Sequence, residues 1–354
     1  MKSTKNNFNG TAFVGIDVHK NSWKVCLISE DGFKKEFSCN PETQVLISSL
    51  LKLLPEFQFK CTYEAGFSGF WLCDQLNNHE AFECIVVNPV DIPTSNKDKS
   101  QKEDRRDARK IAAQLKAEAL QGIYVPSEED LALREIQRIR YTITSDLTRW
   151  KNRIKSFLFR HGITPPKEQF PCSSSHWTGK FIKWLKSIEF RWVALRFSLD
   201  QLITSVEVLR DKKKEILREL KYQIAASKYN ASYLKLIEIP GIGTIGSATI
   251  MTEIIDIKRF SSYEKFHSFI GLIPSTNSSA ETERVRGITN RSNKRIRSIL
   301  VEASWIAIRH DTDLFNLYHQ FKQRMNANKA IVRVAKKLAT RVRYELLNLE
   351  TMTM

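Results

Sequence analysis

Four carboxylates in the first third of the chain stand where a carboxylate is costly or crowded. Asp17 lies inside the apolar run TAFVGIDVH at residues 11–19. That run reads as a buried strand, and an unpaired carboxylate inside it is expensive to keep. Glu64 directly follows a second strand-like run, residues 57–63, at the strand end where α/β sheets place their sites. Asp104 and Asp107 are three apart in a helical pattern and so share one helix face. Two like charges on one face repel unless a cation lies between them. Together the four supply oxygen ligands of the kind that hold Mg²⁺ (or Mn²⁺), as one ion or as two about 4 Å apart. Such metals activate an attacking oxygen and stabilise a leaving one. Singly, each acid has a plainer reading: the charged run at residues 97–110 suits a solvated helix, and Asp17 suits a loop cap. The set of four on one fold points to phosphoryl transfer.

The elements that must position these acids follow in a definite order. After the first strand come strands at residues 22–29 and 33–39, joined by the turn Glu30-Asp31-Gly32 as a hairpin. A helix starts at Pro41 and ends before Pro55. A strand at residues 57–63, a helix at 67–77 and a strand at 82–87 follow, the last stopped by Asn88-Pro89. Residues 102–121 are helical by pattern. Three strands followed by alternating helix and strand resembles the order of a ribonuclease-H-like (RuvC-like) nuclease fold, an analogy of order alone.

Two long amphipathic stretches, residues 128–160 and 194–226, suit an antiparallel coiled-coil arm or a plain helical bundle. Residues 162–180, rich in Pro and Ser, read as the loop between them. Beyond Tyr233 the segment Ile239-Pro240-Gly241-Ile242-Gly243 has the form of a helix-hairpin-helix turn. Its glycines permit a tight turn and expose helix N–H groups to a phosphate. The division expected is a disordered start (1–10), an α/β nuclease domain (11–125), a helical arm (126–228) and a mainly helical C-terminal domain (229–350).

The formal net charge is +17, and it is unevenly spread. Residues 1–93 hold 8 Lys/Arg against 11 Asp/Glu, whereas residues 284–343 hold 15 against 3. A one-signed basic surface of that density favours a polyanion, because each neutralised phosphate releases counterions. Candidate nucleic-acid contacts are Lys97, Lys99, Lys102, Arg105, Arg106, Gly241, Gly243, Arg284, Arg286, Lys294, Arg295 and Arg297. Six cysteines without a CxxC pair read as reduced thiols behaving as small hydrophobes. No run approaches the ~20 apolar residues of a membrane span and no signal segment is evident, so a cytoplasmic protein is expected.

Gly15-Ile16-Asp17-Val18-His19-Lys20, Tyr63-Glu64-Ala65, Asn88-Pro89 and Asp104-Arg105-Arg106-Asp107-Ala108 resemble successive landmarks of the DEDD transposases of IS-one-ten insertion sequences, relatives of the Piv DNA invertase. In the C-terminal half Ile239-Pro240-Gly241-Ile242-Gly243, Phe260, Gly271-Leu272-Ile273-Pro274, Ser278-Ser279 and Gly287-Ile288-Thr289 ahead of Asn293 and Arg297 match in order. The resemblance covers residues 12–345. It implies a RuvC-like domain, a helical arm and a C-terminal domain with a nucleophilic serine, which falls on Ser279, with Ser278 and Ser275 as alternatives. Ala280 stands where the family has glycine, a departure in the turn that exposes the serine, and Ser292 replaces a usual glycine before Asn293. The resemblance also implies donor and target DNA, a structured guide RNA from the same element, and a homo-oligomer, dimer or tetramer. Residue content alone leaves two other readings: a junction-resolvase-like nuclease needing only the four acids, and a silent nucleic-acid-binding remnant.

Overall fold

The computed structural model describes residues 8–92, 104–172, 175–279, 282–288 and 292–352; for 104–106, 274–279, 282–288 and 350–352 it describes the backbone alone. The chain forms two compact units, Met1–Pro126 and Ser127–Met354.

The first unit is built on a five-stranded sheet of order β3-β2-β1-β4-β5. Its strands are β1 (Gly10–Val18), β2 (Trp23–Ser29), β3 (Lys34–Cys39), β4 (Phe57–Glu64) and β5 (Phe82–Val87). β1 is central, antiparallel to β2 and parallel to β4, and β4 is parallel to β5. A central strand covered on both faces needs a near-continuous apolar run, and β1 has one. Ala12, Val14 and Ile16 are fully buried in a core with Leu46 and Leu50 of α1 (Thr43–Leu53) and Leu72 and Leu76 of α2 (Trp71–Asn77). On the other face Ala108 and Ala112 of α3 (Asp104–Lys116) pack with Cys26.

Three boundaries differ from expectation. Gly10, the last residue of the start expected to be disordered, is strand and pairs with Phe57, while residues 1–7 lie outside the described residues. α2 begins at Trp71, not at residue 67, because a turn across Gly66–Gly69 is tied down by the Tyr63 hydroxyl donating to Gly69 O at 3.0 Å. α3 stops at Lys116 rather than 121, and Glu118 is left-handed at φ 55°.

The second unit is mostly helical. α4 (Glu128–Arg160) starts at a capping box, with Ser127 and Asp130 bonding each other's backbone N–H groups, a strong start signal. α5 (Gly179–Ser187) and α6 (Val193–Ala226) follow. Leu147, Ile154 and Phe157 of α4 share a cluster with Leu199, Ile203 and Val206 of α6, while Leu133 shares one with Leu220 and Ile224. The early part of each helix therefore meets the late part of the other, and the pair is antiparallel. α5 falls at the end of the stretch expected to be loop. Thr178 caps it by accepting from Phe181 N at 3.2 Å, and Phe181, Ile182 and Leu185 fill the distal cluster.

The chain continues through α7 (Asn230–Ile237), α8 (Thr244–Ile254), α9 (Tyr263–Ile270), the hairpin of β6 (Pro274–Ser279) and β7 (Thr282–Ile288), α10 (Lys294–Ala307), α11 (Thr312–Lys322) and α12 (Ala327–Met352). α8 is buried on every side from Gly246 to Ile254, as expected of a helix at the centre of a core. The hairpin is an addition to a domain expected to be helical. Cys26, Cys61, Cys73 and Cys84 are buried and no disulfide joins any of the six cysteines among the described residues; burial pushes the Cys26 thiol up to about 11. No described helix is long and apolar enough to cross a membrane.

Candidate active site

Asp17 and Glu64 end neighbouring parallel strands. Ile16 lies opposite Tyr63 in the β1–β4 register, so the two acids, each one residue further on, stand side by side at one sheet edge. Ile16 and Tyr63 are fully buried in the core shared with α1 and α2. Because strand side chains alternate, Asp17 and Glu64 belong to the opposite face, the one that receives α3. His19 Nε2 lies 2.9 Å from Asp17 Oδ2, a neighbour that the strand pattern alone did not single out.

α3 reaches this edge because of Gly15. A Cβ at that position would lie 2.3 Å from Ala108 O and 2.4 Å from Ala112 N; only glycine lets the helix backbone sit on the strand. Near its other end, Lys116 donates to Ser29 O at 2.7 Å and Glu30 O at 3.2 Å, beside the start of β1, where Ser29 pairs with Ala12. α3 therefore runs antiparallel to β1, and its first turn, opening at Asp104 and carrying Asp107 just before Ala108, points back to the Asp17–Glu64 edge. The helix is also pinned sideways by Arg109, which donates to Glu36 at 2.7 and 3.0 Å. That guanidinium holds the Glu36 carboxyl down to about 2.

The donors at this edge are carboxylate oxygens, with two like charges on adjacent strands, and so fit a hard divalent cation in kind. Among the described residues no three His, Cys, Asp or Glu side chains gather as a metal-holding group; the side chain of Asp104 lies outside the described residues. Lys97, Lys99 and Lys102 also lie outside them, and Arg105 and Arg106 are described as backbone in the first turn of α3.

Ser279 is the last residue of β6, opposite Thr282, with Ser278 opposite Glu283 and Ser275 opposite Arg286. It thus sits at a strand end next to the hairpin tip, while Ala280 lies outside the described residues. Arg284 and Arg286 lie on the partner strand. Asn293 caps α10 by accepting from Arg295 N and Ile296 N, both at 3.1 Å, so Lys294, Arg295 and Arg297 occupy the first turns of that helix.

The turn holding Gly241 and Gly243 does join two helices, α7 and α8, and Gly243 is the residue that caps α8. Gly241 has φ 87°, and a Cβ there would lie 2.2 Å from Ala303 O of α10. Its glycine is accounted for by packing alone. Sequence reasoning missed a buried polar layer between α4 and α8. Arg134 donates to Thr252 O at 2.9 Å, Gln137 bonds the Thr249 hydroxyl, and Arg140 donates to Gln137 at 3.0 Å. Glu253, 5% exposed, lies in the same region, between Arg138 and Arg295. The one available signal was a lone charge in the otherwise uncharged helix α8.

The chain is similar to known transposases along most of its length. A family model described as transposase IS116/IS110/IS902 family matches residues 233–320, and a DEDD transposase model of the IS110 type matches residues 14–162. A putative transposase, y4qE, of Sinorhizobium fredii (strain NBRC 101917 / NGR234) is 30% identical over 83% of this chain and 71% of its own length. The transposase for insertion sequence element IS1533 of Leptospira borgpetersenii is 28% identical over 83% of this chain and 84% of its own. The transposase for insertion sequence element IS1111A of Coxiella burnetii (strain RSA 493 / Nine Mile phase I) is 25% identical over 96% and 90%.

Proposed function

We propose that this chain, which belongs to the IS116/IS110/IS902 transposase family, cuts and rejoins insertion-sequence DNA through a composite chemistry of four acids and one serine. The family makes it a DNA-cleaving and DNA-rejoining enzyme. The observation that supports the finer reading is that Asp17 and Glu64 stand side by side at the end of the sheet towards which the first turn of α3 is directed. Asp17, Glu64, Asp104 and Asp107 would hold the divalent metal, Mg²⁺ or Mn²⁺, which supplies Lewis-acid polarisation of a phosphate.

Ser279 is the nucleophile in this reading. Its Oγ forms an ester bond to phosphorus as one P–O bond to deoxyribose breaks. The serine proton passes to a carboxylate and the leaving deoxyribose oxygen takes up a proton. A hydroxyl of a second strand end then attacks the phosphoserine, restoring the serine and joining the DNA. Its place at the end of β6, beside the hairpin tip, supports this role. Lys97, Lys99, Lys102, Arg105, Arg106, Arg284, Arg286, Lys294, Arg295 and Arg297 supply phosphate contacts. The basic surplus also suits a structured guide RNA, and the chain acts as a homo-oligomer in the cytoplasm.

The test is a denaturing gel of protein incubated with a target-bearing DNA duplex. Ser279→Ala abolishes the covalent protein–DNA adduct; an adduct that persists removes the serine assignment. Strand cleavage that survives with no adduct in either protein favours the metal-dependent nuclease instead. Asp17→Asn lowers metal-dependent cleavage on the order of a thousandfold, and full activity in that variant removes the metal site.

A further inference from the structure

The interior of the second unit carries more positive than negative charge in one place. Glu253 of α8 accepts from Asn293 Nδ2 at 2.9 Å, which ties the cap of α10 to α8. Its Oε1 lies 3.6 Å from Arg138 Nε of α4 and 3.6 Å from Arg295 Nη1 of α10. Arg259 donates to the Glu253 backbone carbonyl at 3.3 Å, and Arg134 of α4 lies close by, bonded to Thr252 O. Two guanidiniums thus share one buried carboxylate, and two more bond backbone carbonyls beside it. Burial pushes Arg134 below its ordinary value, Glu253 resists, and Arg138 adds to the push.

At 3.6 Å the two pairs to Glu253 are ionic contacts longer than hydrogen bonds. Accordingly Glu253 Oε1, Arg138 Nε and Arg295 Nε are buried without a hydrogen-bond partner among the described residues. The outer ends of both arginines meet solvent, with side chains 38% and 39% exposed. The Arg295 guanidinium also lies 5.5 Å from the centre of the Tyr141 ring, which restrains its plane. The two forks share Glu253, and Arg138 has a second, exposed carboxylate, Glu135, 4.0 Å from its Nη1; with Arg134 and Arg259 beside them the site stays net positive, and bidentate guanidinium recognition fits a phosphate oxygen pair. The place matters too. Asn293, the partner of Glu253, donates its backbone N–H to Phe269 O at 2.7 Å and so ties together the chain before and after the hairpin whose first strand ends in Ser279.

We propose that Arg138 and Arg295, held in orientation by buried Glu253, form a clamp for a DNA phosphodiester at the root of the β6–β7 hairpin. The clamp deepens the transposase reading by placing a backbone contact beside the serine-bearing hairpin. It depends on DNA being the substrate and not on serine chemistry. Arg138 and Glu253 contribute in different ways: Arg138 touches the phosphate, and Glu253 is a positioning residue.

Equilibrium binding of the full chain to a mixed-sequence DNA duplex, without divalent metal and over a range of salt, tests this independently of cleavage. Arg138→Gln and Arg295→Gln each weaken binding about fivefold to tenfold and reduce the salt slope by about one. Lys214→Gln, on the exposed face of α6 and paired with Asp211, changes affinity less than about twofold. Glu253→Gln keeps an acceptor for Asn293 and raises the net charge by one. It still weakens binding if Glu253 aims the arginines, whereas a pure net-charge effect strengthens it. Thermal melting confirms that each variant is folded. Wild-type affinity and salt slope in both arginine variants overturn the clamp. Tighter binding by Glu253→Gln overturns the positioning role. Loss confined to an RNA duplex of the same sequence overturns DNA as the ligand.

Discussion

The two units solve the problem of holding charge in opposite ways. In the sheet unit the contact that sets the candidate site, α3 on β1, is apolar and made by backbone proximity at Gly15, Ala108 and Ala112, while the carboxylates stay at the rim. In the helical unit α4 meets α8 through Arg134, Gln137 and Thr249, and its root is fixed by Asp130, only 2% exposed. Rim charges keep some water and lose little when a neighbour is removed. Interior charges have given up hydration, so each depends on its partner. Deleting one interior charge should therefore cost more than deleting a rim pair, with a backbone clash at the α3 crossing between them.

Asp130 is where that difference should be largest. It accepts from the Tyr229 hydroxyl, from Ser127 N at 3.1 Å, and pairs with Lys228 at 2.8 Å. Asp130→Ala removes the capping box and strands those donors, with an expected loss of about 4 kcal/mol in urea unfolding. Burial pushes this carboxyl up, but Lys228, Tyr229 and Ser127 outweigh it and hold it below its ordinary value. A depressed carboxylate stabilises the fold above its unfolded pKa, and that contribution disappears as pH falls through the folded one. A loss under about 1 kcal/mol would mean that Asp130 behaves as a rim charge and that the contrast between the units is wrong.

Gly15→Ala should come next, at about 3 kcal/mol, because the added methyl meets backbone atoms that have no rotamer to escape into. The expected readout is double: a lower melting temperature and a loss of DNA cleavage as α3 lifts Asp107 from the sheet edge. Cleavage kept at the wild-type rate in a destabilised Gly15→Ala protein would detach α3 from the chemistry.

The same contrast explains what could be read beforehand. Asp17 showed itself because a strand registers a misplaced charge every second residue, and β5 was bounded by Asn88-Pro89 as expected. α4 spans the amphipathic stretch expected at residues 128–160, because its long apolar periodicity ends where the Pro- and Ser-rich stretch begins. By contrast, the β6–β7 hairpin escaped notice because Pro274–Ser279 and Thr282–Ile288 lack an apolar alternation. The Glu253 cluster was illegible for a different reason. Its partners, Arg138, Arg259, Asn293 and Arg295, are spread over three chain segments, and only the packing of α8 against α4 and α10 reveals that they meet. α5 was hidden by the Pro- and Ser-rich stretch before it, although Thr178 is an ordinary N-cap.

The smallest effect should be at the rim of the sheet unit. Arg109 grips Glu36 with two hydrogen bonds, yet their side chains are 51% and 27% exposed, so water and salt screen the pair. Arg109→Gln should cost about 1 kcal/mol near neutral pH, less with added salt. The sign with pH follows from Glu36, lowered from an ordinary 4.5 to about 2, chiefly by Arg109. A depressed carboxylate contributes fully above its unfolded pKa and loses that contribution as pH falls through the folded one. The gap between wild type and Arg109→Gln in urea midpoint should therefore narrow as pH drops from about 5 towards 3. A gap that stays constant over that window would mean that Arg109 holds α3 by packing its aliphatic stem rather than by charge. A gap as large as that of Asp130→Ala would mean that rim and interior charges in this protein are held alike.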